Sequence, residues 1–215
     1  MATRIVFISC TSGPFFKEEY VDFEYYNGFA LVQKQKSIQS LHDSYLANHK
    51  MAKVLEVSSK SDVELGTHLS AFNLMFTDDS TGNEYHLENI FQSSKVYKNG
   101  GPFRDLLDVE PKEAKRDERH KTSGDLVRFE WNAEKWNLEP KTMFYDWTYC
   151  KALSQHPDLV DELISYGYDS FTDIEFNHKK SLNCQARAAA IFVSLYRQDL
   201  LSEYLNDRDK WKTIY

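Results

Sequence analysis

His86-Leu87-Glu88-Asn89-Ile90-Phe91-Gln92-Ser93-Ser94-Lys95-Val96-Tyr97 is the stretch from which the rest of the chain is read. As a helix it sets Glu88, Phe91, Gln92 and Lys95 on one face, because residues three, four and seven apart lie above one another. Leu87, Ile90 and Tyr97 fall on the sides that pack. A helix that only covers a core gathers its apolar residues into one stripe. Here a carboxylate, an amide, an amine and one aromatic ring share a face, as they do in the wall of a polar pocket. The plainer alternative is a solvated face with a loose glutamate-to-lysine pair, worth roughly 0.2–0.5 kcal/mol.

The chain of 215 residues has the length of one large domain. Its expected class is α+β, predominantly helical with a few short strands. Residues 1–68 are read as an N-terminal elaboration packed on a core of residues 69–205. Aromatic residues make up 14% of the composition and supply bulk for that core. A net charge of −7 argues against a protein that grips nucleic acid through general electrostatics, though not against one that meets it at a local basic patch. Cys10, Cys150 and Cys184 form no CxxC and no even framework, which suits free thiols in a reducing cytoplasm. The histidines lack metal-ligand spacing, so no structural zinc is expected. No apolar run approaches the roughly 18–20 residues of a membrane span.

Along the chain, Arg4–Ser9 and Tyr20–Tyr26 read as strands, the second with Val21, Phe23 and Tyr25 alternating against acidic residues. Phe29–Asn48 reads as a helix with Leu31, Ile38, Leu41 and Tyr45 on its buried stripe. Lys34 falls on that stripe, where burial would lower its pKa and make its amine a better nucleophile. Snorkelling of its ammonium to water is the alternative. Val54–Val63, polar and serine-rich, reads as a loop without chemistry. Residues 110–121 alternate in charge, as a solvated helix face or a flexible arm does. Pro157–Gly167 is a scaffold helix, with proline in its first turn and glycine past its end. A closing helix starts near Asn183, whose side chain, with that of Arg187, stands where a helix N-terminus favours phosphate, with a helix cap and a surface arginine as the alternative.

The pattern Glu88-x-x-Phe91-Gln92-x-x-Lys95 resembles the central motif of the NADAR family, and other segments follow in the family's order. Leu69-Ser70-Ala71-Phe72 is similar to its Ser-Asn-Phe element, with Ala71 where asparagine is usual. Trp131, Met143 and Lys151-Ala152 match its Trp-then-Met-then-helix element, and Asp173 takes the acidic position of its Leu-Val-Glu strand. Of the family's Gly-Arg pair only Arg116 survives, preceded by Lys115, which makes Arg116 a candidate phosphate contact. The usual Trp-Gly-x-Gly is replaced by Phe176-Asn177-His178-Lys179-Lys180. The segment Gly28–His42, with Gln33-Lys34-Gln35-Lys36, resembles a signature of the branch paired with toxins that ADP-ribosylate guanine in DNA.

The resemblance implies cleavage of an N-glycosidic bond without a cofactor. Such a bond breaks as positive charge builds on the anomeric carbon, so the site needs a carboxylate and a proton donor for the departing base. Glu88 and Asp173 are the acidic candidates. Lys95 and Lys34 are the candidates for covalent attack by an amine, and the sequence does not choose between them. Gln92 and Asn73 would orient ribose hydroxyls, Phe72 or Trp131 would stack on the base, each with a place in the core as its alternative, and Asn183 and Arg187 would meet phosphate. The expected partner is ADP-ribosylated guanine in DNA, single-stranded or flipped out, with ADP-ribose as product and the cognate toxin as a further contact. An N-glycosidase acting on a ribosylated riboflavin-pathway intermediate is the alternative enzyme. A non-catalytic module binding ADP-ribose or the toxin is the third reading.

Overall fold

The alternation Ile5-Val6-Phe7 builds the main sheet, because successive side chains of a strand point to opposite faces. In the computed structural model, which describes residues 1–179, 181 and 183–215, β1 (Ala2–Ser9) pairs antiparallel with β2 (Phe16–Phe23), from Ala2 opposite Phe23 to Ser9 opposite Phe16. Ile5 and Phe7 face the main core, whereas Val6 joins a smaller cluster under α1 (Leu31–Leu46). There Ile38, Leu41 and Tyr45 pack with Val21, Phe23 and Ile174. Leu31 is exposed, and Ser37 takes the remaining place on the buried stripe, accepting from the Tyr26 amide at 2.9 Å.

Val54–Val63 is not all loop. Val54–Glu56 is β3, which runs parallel to β9 (Ser170–Thr172), while β9 also pairs antiparallel with β1. The sheet order β2-β1-β9-β3 therefore weaves residues 1–68 into the same sheet as β9, and they are not an addition to a finished core. After β3 comes α2 (Glu64–His68), where a Cβ at Gly66 would collide with the Glu56 carbonyl. Glycine at that position lets α2 press against the end of the strand.

The hairpin β4 (Met75–Thr77) and β5 (Glu84–His86) delivers the chain to α3 (Leu87–Ser93). The helix stops four residues short of the expected Tyr97. The Ser93 and Ser94 hydroxyls both donate to the Ile90 carbonyl, at 3.1 and 2.7 Å, competing with the backbone for it. The chain then enters β6 (Lys95–Tyr97), which heads the sheet β6-β7-β8 with β7 (Leu126–Trp131) and β8 (Glu134–Trp136). Between β6 and β7, residues 110–121 form neither a free arm nor one long helix. They make α4 (Pro111–Arg116) and α5 (Arg119–Thr122), tied together by the His120 ring on the Ala114 carbonyl at 2.9 Å.

The remaining helices are α6 (Met143–Ser154), α7 (Pro157–Ser165), α8 (Gln185–Arg197), α9 (Leu201–Asn206) and α10 (Arg208–Lys212). On α8, Ala186 and Ala188–Ala190 are fully buried, and small residues there let its backbone come close to α6 and β1. Helices hold 41% of the residues and strands 19%, so the α+β class stands, but helix does not predominate as the sequence suggested. Among the described residues no helix is long and apolar enough to cross a membrane.

Candidate active site

Although Lys95 has left the helix, it rejoins the motif from the first residue of β6. The Gln92 amide donates to Glu88 Oε1 at 2.6 Å, and the Lys95 amine donates to Gln92 Oε1 at 2.6 Å. This order fixes the amide's orientation, since Glu88 needs a donor and lysine an acceptor. The amine also stands 4.8 Å from the Phe91 ring centre. Burial pushes the Lys95 amine down to about 8, with Glu88 opposing the shift and Lys115 adding to it. Near physiological pH an amine in that range is neutral in roughly a tenth to a fifth of the molecules, against about one in a thousand for an ordinary lysine.

Two adjoining hollows, of about 140 and 260 Å³, share Glu88, Lys115, Tyr145, Ser181 and Asn183 as walls. Gln92 and Phe91 line the larger, so the Lys95 amine stands one hydrogen bond behind its wall. Phe72, Asp173, Glu175 and Ser58 line the smaller. Lys115, on α4, reaches in with its amine 3.7 Å from Glu88 Oε1 and 4.9 Å from the Phe72 ring centre. Arg116, the expected phosphate contact, is exposed and lines neither hollow.

Asp173 follows β9 directly, and its Oδ1 accepts from the amides of Glu175 and Phe176 at 3.0 and 3.2 Å. Beside it, at the end of the parallel strand β3, the buried Glu56 carboxylate accepts from the Ser58 hydroxyl at 2.6 Å, the Thr172 hydroxyl at 2.6 Å and the Ile174 amide at 2.8 Å. Burial raises the pKa of both carboxyl groups, and the Glu56 charge raises Asp173 further, so the pair resists double ionisation. Glu56 has the richer set of donors and keeps the charge, which leaves the proton on Asp173. Thr172 gives its hydrogen to Glu56, so the His42 ring 2.8 Å away must donate to Thr172, and burial holds that ring neutral by pushing it down to about 4.

Lys34 is partly buried, as expected, but its pKa moves the other way. Burial lowers it, and the Glu175 carboxylate at 2.9 Å and the Tyr25 hydroxyl at 3.1 Å more than reverse this. The amine is an ion-pair partner at the rim, charged at neutral pH. Three other expected site residues lie elsewhere. The exposed Asn73 amide donates to the Thr67 carbonyl at 2.8 Å, closing the end of α2. Trp131 is buried edge-on to Phe76 with the Arg104 guanidinium over it at 5.1 Å, and lines a separate hollow of about 510 Å³. The charges there pair with one another, Lys151 with Asp79 and Arg208 with Glu134. Arg187 is bound to the fully buried Asp146 at 3.0 Å and does not line the cavity.

Glu88, Gln92, Lys95, Phe72, Asp173 and Asn183 are thus gathered around one cavity. Glu56, Ser58, Lys115, Tyr145 and Gln185 join them without having been expected. Gln185 accepts from the Ala71 amide at 2.9 Å, holding the backbone where the family usually has asparagine. Lys180, at the end of the segment that replaces the Trp-Gly loop, lies outside the described residues. Among the described residues no three His, Cys, Asp or Glu side chains gather as a metal-binding set.

Compared with known families, residues 2–215 match the description of the DarT1-associated NADAR antitoxin. The chain belongs to that family. A search of curated proteins found no match. As a NADAR antitoxin, the chain carries the central motif intact, and the cavity described above is the place where that motif meets the acidic end of β9.

Proposed function

We propose that this NADAR antitoxin hydrolyses the bond between ADP-ribose and guanine in DNA, reversing the modification made by its toxin. The observation that carries the reading is the Lys95 amine, held by Gln92 behind the cavity wall and lowered toward neutrality, with a protonated Asp173 lining the same cavity. Lys34, with its ammonium fixed between Glu175 and Tyr25, is poorly suited to attack.

In this reading Lys95 turns from Gln92 into the cavity, and the amine nitrogen bonds to the anomeric carbon. The carbon–nitrogen bond to guanine breaks, and guanine keeps the electron pair and takes the proton of Asp173. Glu88 steadies the positive charge on the sugar as the bond opens. The adduct nitrogen then loses a proton and the ring oxygen gains one as the ring opens, leaving a protonated imine between Lys95 and the sugar. Water adds to the imine carbon, releasing ADP-ribose and the free amine. In the same reading Phe72 stacks against the base, and Lys115 and Asn183 meet the diphosphate. A net charge of −7 favours a single-stranded or flipped-out base held by these local contacts.

The test is release of ADP-ribose from a guanine-ADP-ribosylated oligonucleotide, with borohydride added to reduce any imine. Release by wild type and by Lys34→Ala, with a borohydride adduct that disappears in Lys95→Ala, is the expected result. An adduct that survives Lys95→Ala would move the nucleophile elsewhere. Absence of release by folded wild-type protein at high concentration would end the hydrolase reading and leave binding alone.

A further inference from the structure

Four tyrosines of this chain are buried, and three of their hydroxyls have partners. Tyr45 bonds Ser170 at 3.1 Å, Tyr97 bonds the His120 ring at 3.0 Å, and Tyr149 donates to the Leu69 carbonyl at 2.9 Å. Tyr145 is the exception. Only 6% of the residue is exposed, yet among the described residues its hydroxyl makes no hydrogen bond. Its ring is held edge-on against Phe91, with centres 5.0 Å apart at 86°, so its direction is fixed by packing. A phenylalanine would fill the same space, so packing gives no reason for the hydroxyl, which opens onto the cavity that the residue lines.

What that hydroxyl serves follows from where it sits. Tyr145 is a wall of both hollows, in the field of Glu88 and Asp173. Burial and the Glu88 carboxylate push its pKa far above the ordinary phenol value, so it stays a donor. With the diphosphate assigned to Lys115 and Asn183, the acceptor left for a fixed neutral donor is a sugar oxygen. We propose that Tyr145 touches the substrate, its hydroxyl donating a hydrogen bond to an oxygen of the ribose whose glycosidic bond breaks. The inference rests on the reading of this cavity as an ADP-ribosyl site.

The test is Tyr145→Phe in the full chain, read by ADP-ribose release, by ADP-ribose affinity in calorimetry and by thermal melting. The expected result is about a tenfold fall in kcat/KM and a similar weakening of ADP-ribose binding, with the melting temperature held or raised. Tyr149→Phe is the control, and it loses stability while keeping ADP-ribose affinity. Wild-type affinity and turnover in Tyr145→Phe would overturn the proposal. So would a melting temperature that falls together with activity, since it would assign the hydroxyl to the fold. Wild-type protein that binds ADP-ribose without releasing it from DNA refutes the hydrolase reading alone, and the ratio of affinities then still decides the contact. Wild-type protein that does neither overturns both.

Discussion

Tyr145 and Asp146 are neighbours on α6, and they belong to two buried polar clusters built on opposite terms. Asp146 is fully buried and closed: Arg187 grips it through Nε and Nη2 at 3.2 and 3.1 Å, and the Tyr215 hydroxyl donates to it at 2.7 Å. Tyr145 faces a cluster that is open, where Glu88, Gln92 and Lys95 form a chain ending at a cavity and one hydroxyl is left without a partner. Burial alone does not mark a functional charge. The Asp146 carboxylate has its charge met by Arg187 and Tyr215, and the open cluster keeps donors and acceptors in reserve.

The largest effect expected from this contrast is on the open side. Lys95→Ala is predicted to lower ADP-ribose release by on the order of 10³-fold or more with little change in melting, because it removes the attacking group. Asp173→Asn is predicted to lose about 10²- to 10⁴-fold through the missing proton donor. Its stability should move the other way. A carboxyl whose pKa is raised on folding binds more protons in the folded state, so it costs stability as pH rises above the unfolded value. The asparagine variant should therefore melt higher than wild type at pH 8, and a lower melting point there would contradict the assignment.

Breaking the closed cluster should act on folding. Arg187→Met strands a fully buried carboxylate and is expected to cost about 3–5 kcal/mol, or roughly 6–20 °C in melting temperature. Calorimetry and turnover measured below the transition separate this from a catalytic loss. A variant that melts like wild type yet fails to release ADP-ribose would return Arg187 to the site.

A smaller effect is expected on the pH profile. Below about pH 8, release should rise about tenfold per pH unit as the Lys95 amine becomes neutral. At higher pH it should fall as Asp173 gives up its proton. A profile flat from pH 6 to 8 would remove the amine from the rate-limiting step. The smallest change is predicted for Asn73→Ala, about 1 kcal/mol of stability from the lost bond to Thr67 and turnover within twofold.

How much of this was legible in the sequence depends on how local each contact is. Glu88, Phe91 and Gln92 lie within two helical turns, and spacing put them together. Lys95 was placed by the same spacing for an incomplete reason: the helix ends at Ser93, and the lysine returns to Gln92 from a strand. The alternation of β1 and the stripe of α1 were readable apart from Leu31, since both follow the period of one element. Glu56 was not readable, because its importance comes from β9, which pairs with it across more than a hundred residues. Lys115 looked like one more charge in an alternating run, and only the fold of α4 aims it at Glu88. Trp131 carries the right chemistry for stacking, but β7 turns its ring toward Phe76.

The parallel pairing of β3 with β9 also has a consequence for how the protein comes into being. Glu56 leaves the ribosome early, and its partner strand follows only after residue 170. Contacts between distant segments form late, because the intervening chain must first be ordered. While the chain is being made, the carboxyl pair therefore cannot exist, and Asp173 has no neighbour to hold its proton. Under the proposed function, chains ending before β9 are expected to release no ADP-ribose, because the strand insertion that closes the sheet also assembles the carboxyl pair.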